Sequence, residues 1–529
     1  VEEAANEDDG VVSSTLGRRS GRSGSVGWLF GLSVALIFGA IVRISLARYS
    51  LWSDELASVF FARQPLTNLW SWWMVRETNP PLYYSFLHGW IDVVGLGTVR
   101  LRLLSIAAGL VAIVVTYLGV SKYFGKRAGL IAALMLALSA QQLHFSLMVR
   151  SYIFLYLAIS VSFFGLLGVV RTLDNPGRKL LLAWAAYVFG AIAGVYLHTT
   201  ACIWPIAATI SLIAVDRRYL PLVGSRWLHL VFADALIVAG SSWWLYITYL
   251  QLRVPNGNIS WIAWPGLRET ASYFFSTVLL SRDTTGWAKI IPLAIAGFSL
   301  LCVVRTWKQP RTRLALACPV VAVLLFTLLS LKQPVIMDKT ILWVSIFPLT
   351  LAAAGLATIR NSRVFAMSTF AVLLLLGINL ARSSRDLRIE NWTDAVRTIA
   401  KDPRGVLLVD GESMGVNANM ACTIDLGTRG CPFPVLTFQR TDDAFDPWAF
   451  GYAEKADVSS MGRIALPGDA NVYLFRRASH DVLATMHQVG LLEAVDATQP
   501  SFLGPYKPPL VESMIARVQV RNGLLRVGP

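Results

Sequence analysis

The sequence predicts a polytopic α-helical membrane protein, with roughly 11–13 transmembrane helices, followed by a soluble α/β domain at its C-terminal end. Three observations predict it. The chain is 55% hydrophobic and 15% charged, with a mean hydropathy of +0.55, a balance outside that of soluble globular proteins. The apolar residues gather between 27 and 381 in runs of about 20, the length a helix needs to cross the bilayer core. Beyond Arg382 they thin out into about 150 residues of mixed composition, a normal size for one water-soluble domain. In a soluble protein the net charge of +15 would suggest nucleic acid. Here Lys and Arg sit in short loops between apolar runs, where they set topology and contact anionic lipid, so membrane lipid is the expected partner and nucleic acid is not.

Residues 1–26 are acidic, then Ser/Gly/Arg-rich, and are expected to form a disordered cytoplasmic N-terminus. The apolar run that follows is long and lacks a small-residue cleavage site, so it reads as a span rather than a signal peptide. Arg18, Arg19 and Arg22 place its leading end in the cytoplasm. Clear spans are 27–47, 101–120, 128–147, 152–171, 180–196, 199–215, 227–249, 288–304, 314–331, 340–358 and 364–381. The stretch 81–95, opened by Pro80-Pro81, is short for a crossing. Charge decides its placement. If it does not cross, the clusters Lys122/Lys126/Arg127, Arg171/Arg178/Lys179, Arg217/Arg218/Arg226, Arg305/Lys308/Arg311/Arg313 and Arg360/Arg363 all face the cytoplasm. If it crosses, all of them face out. The stretch is therefore read as interfacial or re-entrant, and Arg100 and Arg102 then stand at an outer helix end.

That topology collects the unusual polar residues outside: the loop 48–100 with Asp54 and Glu55, the turn His144–Ser151, the turn around His198, the loop 332–339 and the longer loop 250–287. Adjacent carboxylates at the mouth of so apolar a protein are costly unless water, a substrate or a metal compensates them, so Ser53-Asp54-Glu55 marks an expected active site. Trp70, Trp72 and Trp73, with Trp261 and Trp264, read as an interfacial belt or as the lining of a lipid or sugar groove.

Residues 382–529 read as an extracytoplasmic α/β domain, with a helix over Trp392–Lys401, strands at 405–410 and 471–475, and a second helix over 481–489. No Gly-rich phosphate loop is present, and the domain is expected to cap the active site or recruit the acceptor. Of the five cysteines, Cys202, Cys302 and Cys318 lie in apolar runs, while a Cys422–Cys431 bridge would suit an extracytoplasmic compartment.

Leu51-Trp52-Ser53-Asp54-Glu55, then Asn79-Pro80-Pro81-Leu82-Tyr83-Tyr84, Val99-Arg100-Leu101 and Tyr123-Phe124-Gly125-Lys126-Arg127-Ala128-Gly129 resemble, in this order, the GT-C glycosyltransferases. The resemblance is to the branch of protein O-mannosyltransferases, lipid A aminoarabinose transferase and rhizobial lipopolysaccharide galacturonosyltransferases. It runs over most of residues 45–215. It implies an enzyme of the bacterial cytoplasmic membrane that takes a sugar from a polyprenyl-phosphate carrier on the outer leaflet. The sugar passes to a lipid, glycan or protein acceptor, with inversion at the anomeric carbon.

The resemblance also implies roles. The attacking oxygen must lose a proton, and Asp54 matches the family's aspartate that serves as general base. Glu55 beside it is the second catalytic candidate, orienting Asp54, a metal or the acceptor. Arg150 and Tyr152 match a second outer motif and Lys339 a later one, where cations would meet the carrier phosphate as charge builds on it. For Lys339 a snorkelling helix-end lysine is the competing reading. Tyr83, Tyr84 and His198 are further substrate-binding candidates. Glu77, His144 and His198 could hold a divalent metal, though nothing in their spacing demands one. Many relatives carry an acidic residue where this chain has Met148, so its work would fall to Glu55, Glu77 or Asp338 or be absent. Two readings from other classes stand beside the enzyme: a lipid or sugar transporter (flippase), which predicts mid-membrane charges and internal repeats, and a non-catalytic membrane scaffold.

Overall fold

The computed structural model describes residues 13–172, 177–221, 224–253, 266–282, 286–384, 387, 390–410 and 412–439, with strands at 454–457, 463–465, 471–475, 515–518 and 524–526. The apolar runs become helices because a backbone in lipid must satisfy its own hydrogen bonds. In chain order these are α1 (Ser13–Ser45), α2 (Ser53–Ala62), α3 (Leu66–Leu69), α4 (Pro81–Val94), α5 (Thr98–Phe124), α6 (Lys126–Leu138), α7 (Ala140–Leu147), α8 (Tyr152–Thr172) and α9 (Arg178–Leu197). There follow α10 (Ile203–Val215), α11 (Trp227–Gln251), α12 (Gly266–Tyr273), α13 (Ile290–Thr306), α14 (Pro310–Lys332), α15 (Asp338–Ile341), α16 (Ile346–Ala357) and α17 (Ser362–Ser383).

Every expected span is helical, but among the described residues nine helices meet the length and apolarity of a crossing, or ten with one bent pair. The difference from the expected eleven has two causes. The run 128–147 breaks at Ser139 into α6 and α7, bent by 60°. Ser139 leaves helical geometry there, and its hydroxyl accepts the Gln142 N–H to start α7. The segment 199–215 enters through a 3₁₀ turn, which leaves Thr199–Val215 short. The stretch 81–95 forms the 14-residue α4. At about 1.5 Å per residue it reaches roughly 21 Å, too little to cross. Upstream, the first helix begins at Ser13, within the segment 1–26 whose first twelve residues lie outside the described residues.

The span Asp338–Ala357 is the enclosed centre, 94% buried, whereas Gly27–Ser45 is 17% buried and lies at the edge. Helices α8 and α9 approach backbone to backbone: a Cβ at Gly165 would stand 2.6 Å from the Tyr187 nitrogen, and one at Gly190 2.7 Å from the Ala158 oxygen. Contacts gather the basic loops at one end of the bundle. Arg171 donates to the Lys122 carbonyl, the Arg311 and Arg127 guanidiniums cover the Phe124 and Phe365 rings, and Arg305 donates to Thr358. The loops that carry Asp54, Arg150 and Lys339 meet at the other end.

After α17 the chain forms α18 (Trp392–Ala400), β1 (Gly405–Asp410), α19 (Glu412–Asp425), β2 (Val435–Gln439), β3 (Glu454–Asp457), β4 (Arg463–Ala465), β5 (Asn471–Phe475), β6 (Ile515–Val518) and β7 (Leu524–Arg526). The sheet order is β3-β2-β1-β5-β6, parallel except for β6, and β4 pairs with β7. Leu407 opposes Val435 on one side and Tyr473 on the other, so β1 is the central strand, as its apolar run requires. Cys422 and Cys431 form a disulfide. The expected helix over 481–489, Trp261 and Trp264 lie outside the described residues.

Candidate active site

Asp54 sits in the first turn of α2, with its side chain 30% exposed. Its Oδ2 lies 3.5 Å from Lys339 Nζ and 4.0 Å from an Arg150 Nη. Arg150, in the turn between α7 and α8, is 7% exposed and held from several sides. It donates to the Asp54 carbonyl at 3.2 Å, to Ser58 Oγ at 3.1 Å and to the Tyr152 hydroxyl at 3.3 and 3.4 Å. Lys339, on α15, also stands 5.9 Å from the Trp52 ring. Two cations therefore converge on one partly exposed carboxylate, joined across sequence separations of 96 and 285 residues.

Beside them Ser58, Asn79, Pro80, Tyr83, Tyr84, Arg150 and Ser151 line a narrow crevice, too tight to admit a water molecule. Proline at the start of α4 presets the helical φ and brings both tyrosines inward. Tyr84 stacks on Phe61 at 5.3 Å and donates to Glu77 Oε1 at 3.1 Å. Tyr83 packs against Phe154, with its hydroxyl 3.5 Å from Ser105 Oγ. Burial and the nearby Glu77 carboxylate hold the Tyr84 phenol well above its usual value, so it stays a neutral donor.

Glu55, the second catalytic candidate, is enclosed by partners from several elements. It is 1% exposed. The Arg102 guanidinium meets it at 2.9 and 3.4 Å, the Val149 N–H donates at 2.8 Å and the Trp52 N–H at 3.1 Å. Arg102 also donates to the carbonyls of Ala47, Tyr49 and Ser50. Glu55 thus ties α2, the loop before it, α5 and the Arg150 turn together. The same pair explains the two arginines at the outer helix end. Arg102 is neutralised by Glu55, and Arg100 donates to the Val94 carbonyl that closes α4. The backbone next to Met148 is anchored by the same carboxylate through the Val149 N–H.

Glu77, His144 and His198, the candidate metal ligands, are each engaged with other groups. Among the described residues no three His, Cys, Asp or Glu side chains converge to hold an ion. Glu77 is occupied by Asn79 and Tyr84, and burial raises its carboxyl above the usual range while the Arg150 charge pulls it back. The Thr200 N–H donates to His198 Nδ1 at 3.3 Å, with Thr200 Oγ1 at 2.8 Å. Burial, with the charges of Arg150 and Lys339, pushes this imidazole down to about 3. It is therefore neutral, accepting at Nδ1 and carrying its proton on Nε2, beside the Tyr152 ring at 6.0 Å. His144 packs on Phe145.

Sequence reasoning missed Ser58, the Arg102–Glu55 pair, and Glu390 and Trp392 of the C-terminal domain. Glu390 Oε2 accepts from the Ser53 N–H at 2.8 Å and from the Trp392 indole at 2.8 Å. The one available signal was Arg102 itself, a cation at the wrong end of a span.

Residues 78–244 match the family model described as dolichyl-phosphate-mannose-protein mannosyltransferase. The crystal structure of ArnT from Cupriavidus metallidurans in the apo state aligns with 88% of this chain and 95% of its own, at 14% identity and a TM-score of 0.60. The same protein bound to undecaprenyl phosphate aligns with 87% of this chain and 95% of its own, at 14% identity and a TM-score of 0.55. No curated protein matches the sequence. The chain has the fold of ArnT, the GT-C fold that the ordered motifs imply.

Proposed function

We propose that the protein is a membrane glycosyltransferase that moves a sugar from a polyprenyl-phosphate carrier to a lipid, glycan or protein acceptor. The observation that carries the reading is the meeting of Asp54 with Arg150 and Lys339 beside a crevice at one end of a GT-C bundle. The family match over residues 78–244 and the undecaprenyl phosphate bound to ArnT support the donor class.

Asp54 accepts the proton of the acceptor hydroxyl as its oxygen attacks the anomeric carbon. The carbon–oxygen bond to the carrier breaks on the opposite face, which inverts the configuration, and the electron pair leaves with the polyprenyl phosphate. Negative charge grows on that phosphate, and Arg150 and Lys339 are the cations placed to receive it. An arriving phosphate draws both away from Asp54 and so leaves the carboxylate a stronger base. The Tyr152 hydroxyl and the Nε2 proton of His198 are the neutral donors available to sugar oxygens.

The basic loops at the opposite end of the bundle support an extracytoplasmic site in the cytoplasmic membrane. The test is transfer by purified protein in proteoliposomes, using radiolabelled polyprenyl-phosphate sugars and total envelope lipid and protein as acceptors. Label should move to one acceptor class. Absence of transfer across a panel of hexose and pentose donors would contradict the reading.

A further inference from the structure

We propose that Glu390, in the segment leading into the C-terminal domain, is a positioning residue for Asp54: its carboxylate caps the helix that carries Asp54, so the docked soluble domain sets the geometry of the membrane site. The inference rests on the role of Asp54 given above.

A helix leaves its first amides without intrahelical acceptors, and the residue ahead of it normally supplies an oxygen. In α2 that residue is Trp52, whose indole has no acceptor to offer. Half of a reciprocal cap exists locally, because Glu55 Oε2 accepts the Trp52 N–H at 3.1 Å. The first amide of the helix, that of Ser53, finds its acceptor 337 residues away. Glu390 Oε2 accepts the Ser53 N–H at 2.8 Å and the Ser53 hydroxyl at 2.5 Å. Ser53 immediately precedes Asp54, so the cap fixes the turn from which the Asp54 side chain projects.

The arrangement is built rather than incidental. Glu390 is 8% exposed and Trp392 fully buried. The Trp392 indole donates to Glu390 Oε2 at 2.8 Å and approaches Ser53 Oγ at 3.3 Å, holding the carboxylate in place. Around this pair the domain grips the same helix and loop. The Thr393 N–H donates to Ser50 Oγ at 3.1 Å, Met414 Sδ meets Ser53 Oγ at 3.9 Å, and Met420 Sδ meets Arg63 at 4.0 Å. A carboxylate at this helix N-terminus is also favoured by the helix dipole.

The experiment uses the full chain in lipid nanodiscs and two readouts. The first is hydrogen exchange of the peptide spanning residues 51–57. The second is steady-state sugar transfer. In Glu390→Ala the first-turn amides should exchange about tenfold faster, and kcat should fall about tenfold or more, with the donor KM within about twofold of wild type. Glu390→Gln, which keeps an acceptor oxygen, should recover most of both. Ser50→Ala, which removes a domain contact and leaves the cap intact, should change neither. Unchanged exchange in Glu390→Ala would overturn the cap. Faster exchange with an unchanged kcat would overturn the positioning role, as would an equal loss of kcat in Ser50→Ala. If the wild type transfers no sugar, the proposed function fails while the exchange data still decide the cap.

Discussion

Replacing Arg102 with methionine removes one member of a buried ion pair and keeps the apolar stem. The partner left behind is Glu55, 1% exposed, which would retain only the Val149 and Trp52 N–H groups. Breaking a buried pair from one side costs about 3–5 kcal/mol. The carbonyls of Ala47, Tyr49 and Ser50 also lose their donor, which places the cost toward the upper end of that range. A loss of about 3–5 kcal/mol is a large part of a typical total stability of about 5–15 kcal/mol. At about 2–3 °C per kcal/mol, Tm should fall by about 6–15 °C in a fluorescence-detected melt in detergent. Glu55→Gln alone should cost less, since the amide still has an oxygen acceptor and Arg102 keeps its three carbonyls. The double variant should lose at least about 2 kcal/mol less than the sum of the two single losses. A fall in Tm of less than about 2 °C for Arg102→Met would refute the reasoning. So would strict additivity of the two substitutions.

Other predictions follow from the same contacts. Arg150→Lys keeps the charge but cannot reach the Asp54 carbonyl, Ser58 and Tyr152 together, so kcat for sugar transfer should drop about 10–100-fold while the fold melts as before. His198, pushed down to about 3, binds its proton less readily folded than unfolded, where the value is about 6.5. Its contribution is therefore complete above pH 6.5 and is lost as pH falls toward 3. Between pH 7 and pH 4.5 this amounts to up to about 2–3 kcal/mol, less for a partly exposed ring, and His198→Gln should flatten that part of the Tm–pH curve. The nine-residue separation of Cys422 and Cys431 gives their disulfide about 2–3 kcal/mol on the chain-entropy account. Cys422→Ser should lower the melting of the C-terminal domain accordingly, and non-reducing peptide mapping of the wild type should show the bridge.

The spans were legible because about 20 apolar residues in a row admit few other readings, and the site motifs because their order matched a known family. What escaped shares one physical feature: it depends on pairings between distant residues. The run through Ser139 stays apolar across the bend, so hydropathy could not show that α6 and α7 are separate helices. Arg102 and Glu55 are 47 residues apart and neither sits in a periodic pattern. Arg102 therefore stood out as a topological oddity before the structure showed it as a partner. Glu390 carried no sequence signal, since a cap supplied from another domain leaves only the ill-suited Trp52 at the helix start. Glu77 and His198 are of ligand type, but among the described residues no third ligand gathers with them, and they bond Asn79, Tyr84 and Thr200 instead. Lys339, read either as a phosphate ligand or as a snorkelling helix end, lies 3.5 Å from Asp54 with its side chain 14% exposed.

The most direct test of the account compares wild type with Asp54→Asn in the proteoliposome transfer assay, each checked for the same melting temperature. The account predicts transfer by wild type and a loss of at least about a hundredfold in Asp54→Asn, because the amide cannot take the acceptor proton. Equal transfer by the two proteins would contradict it.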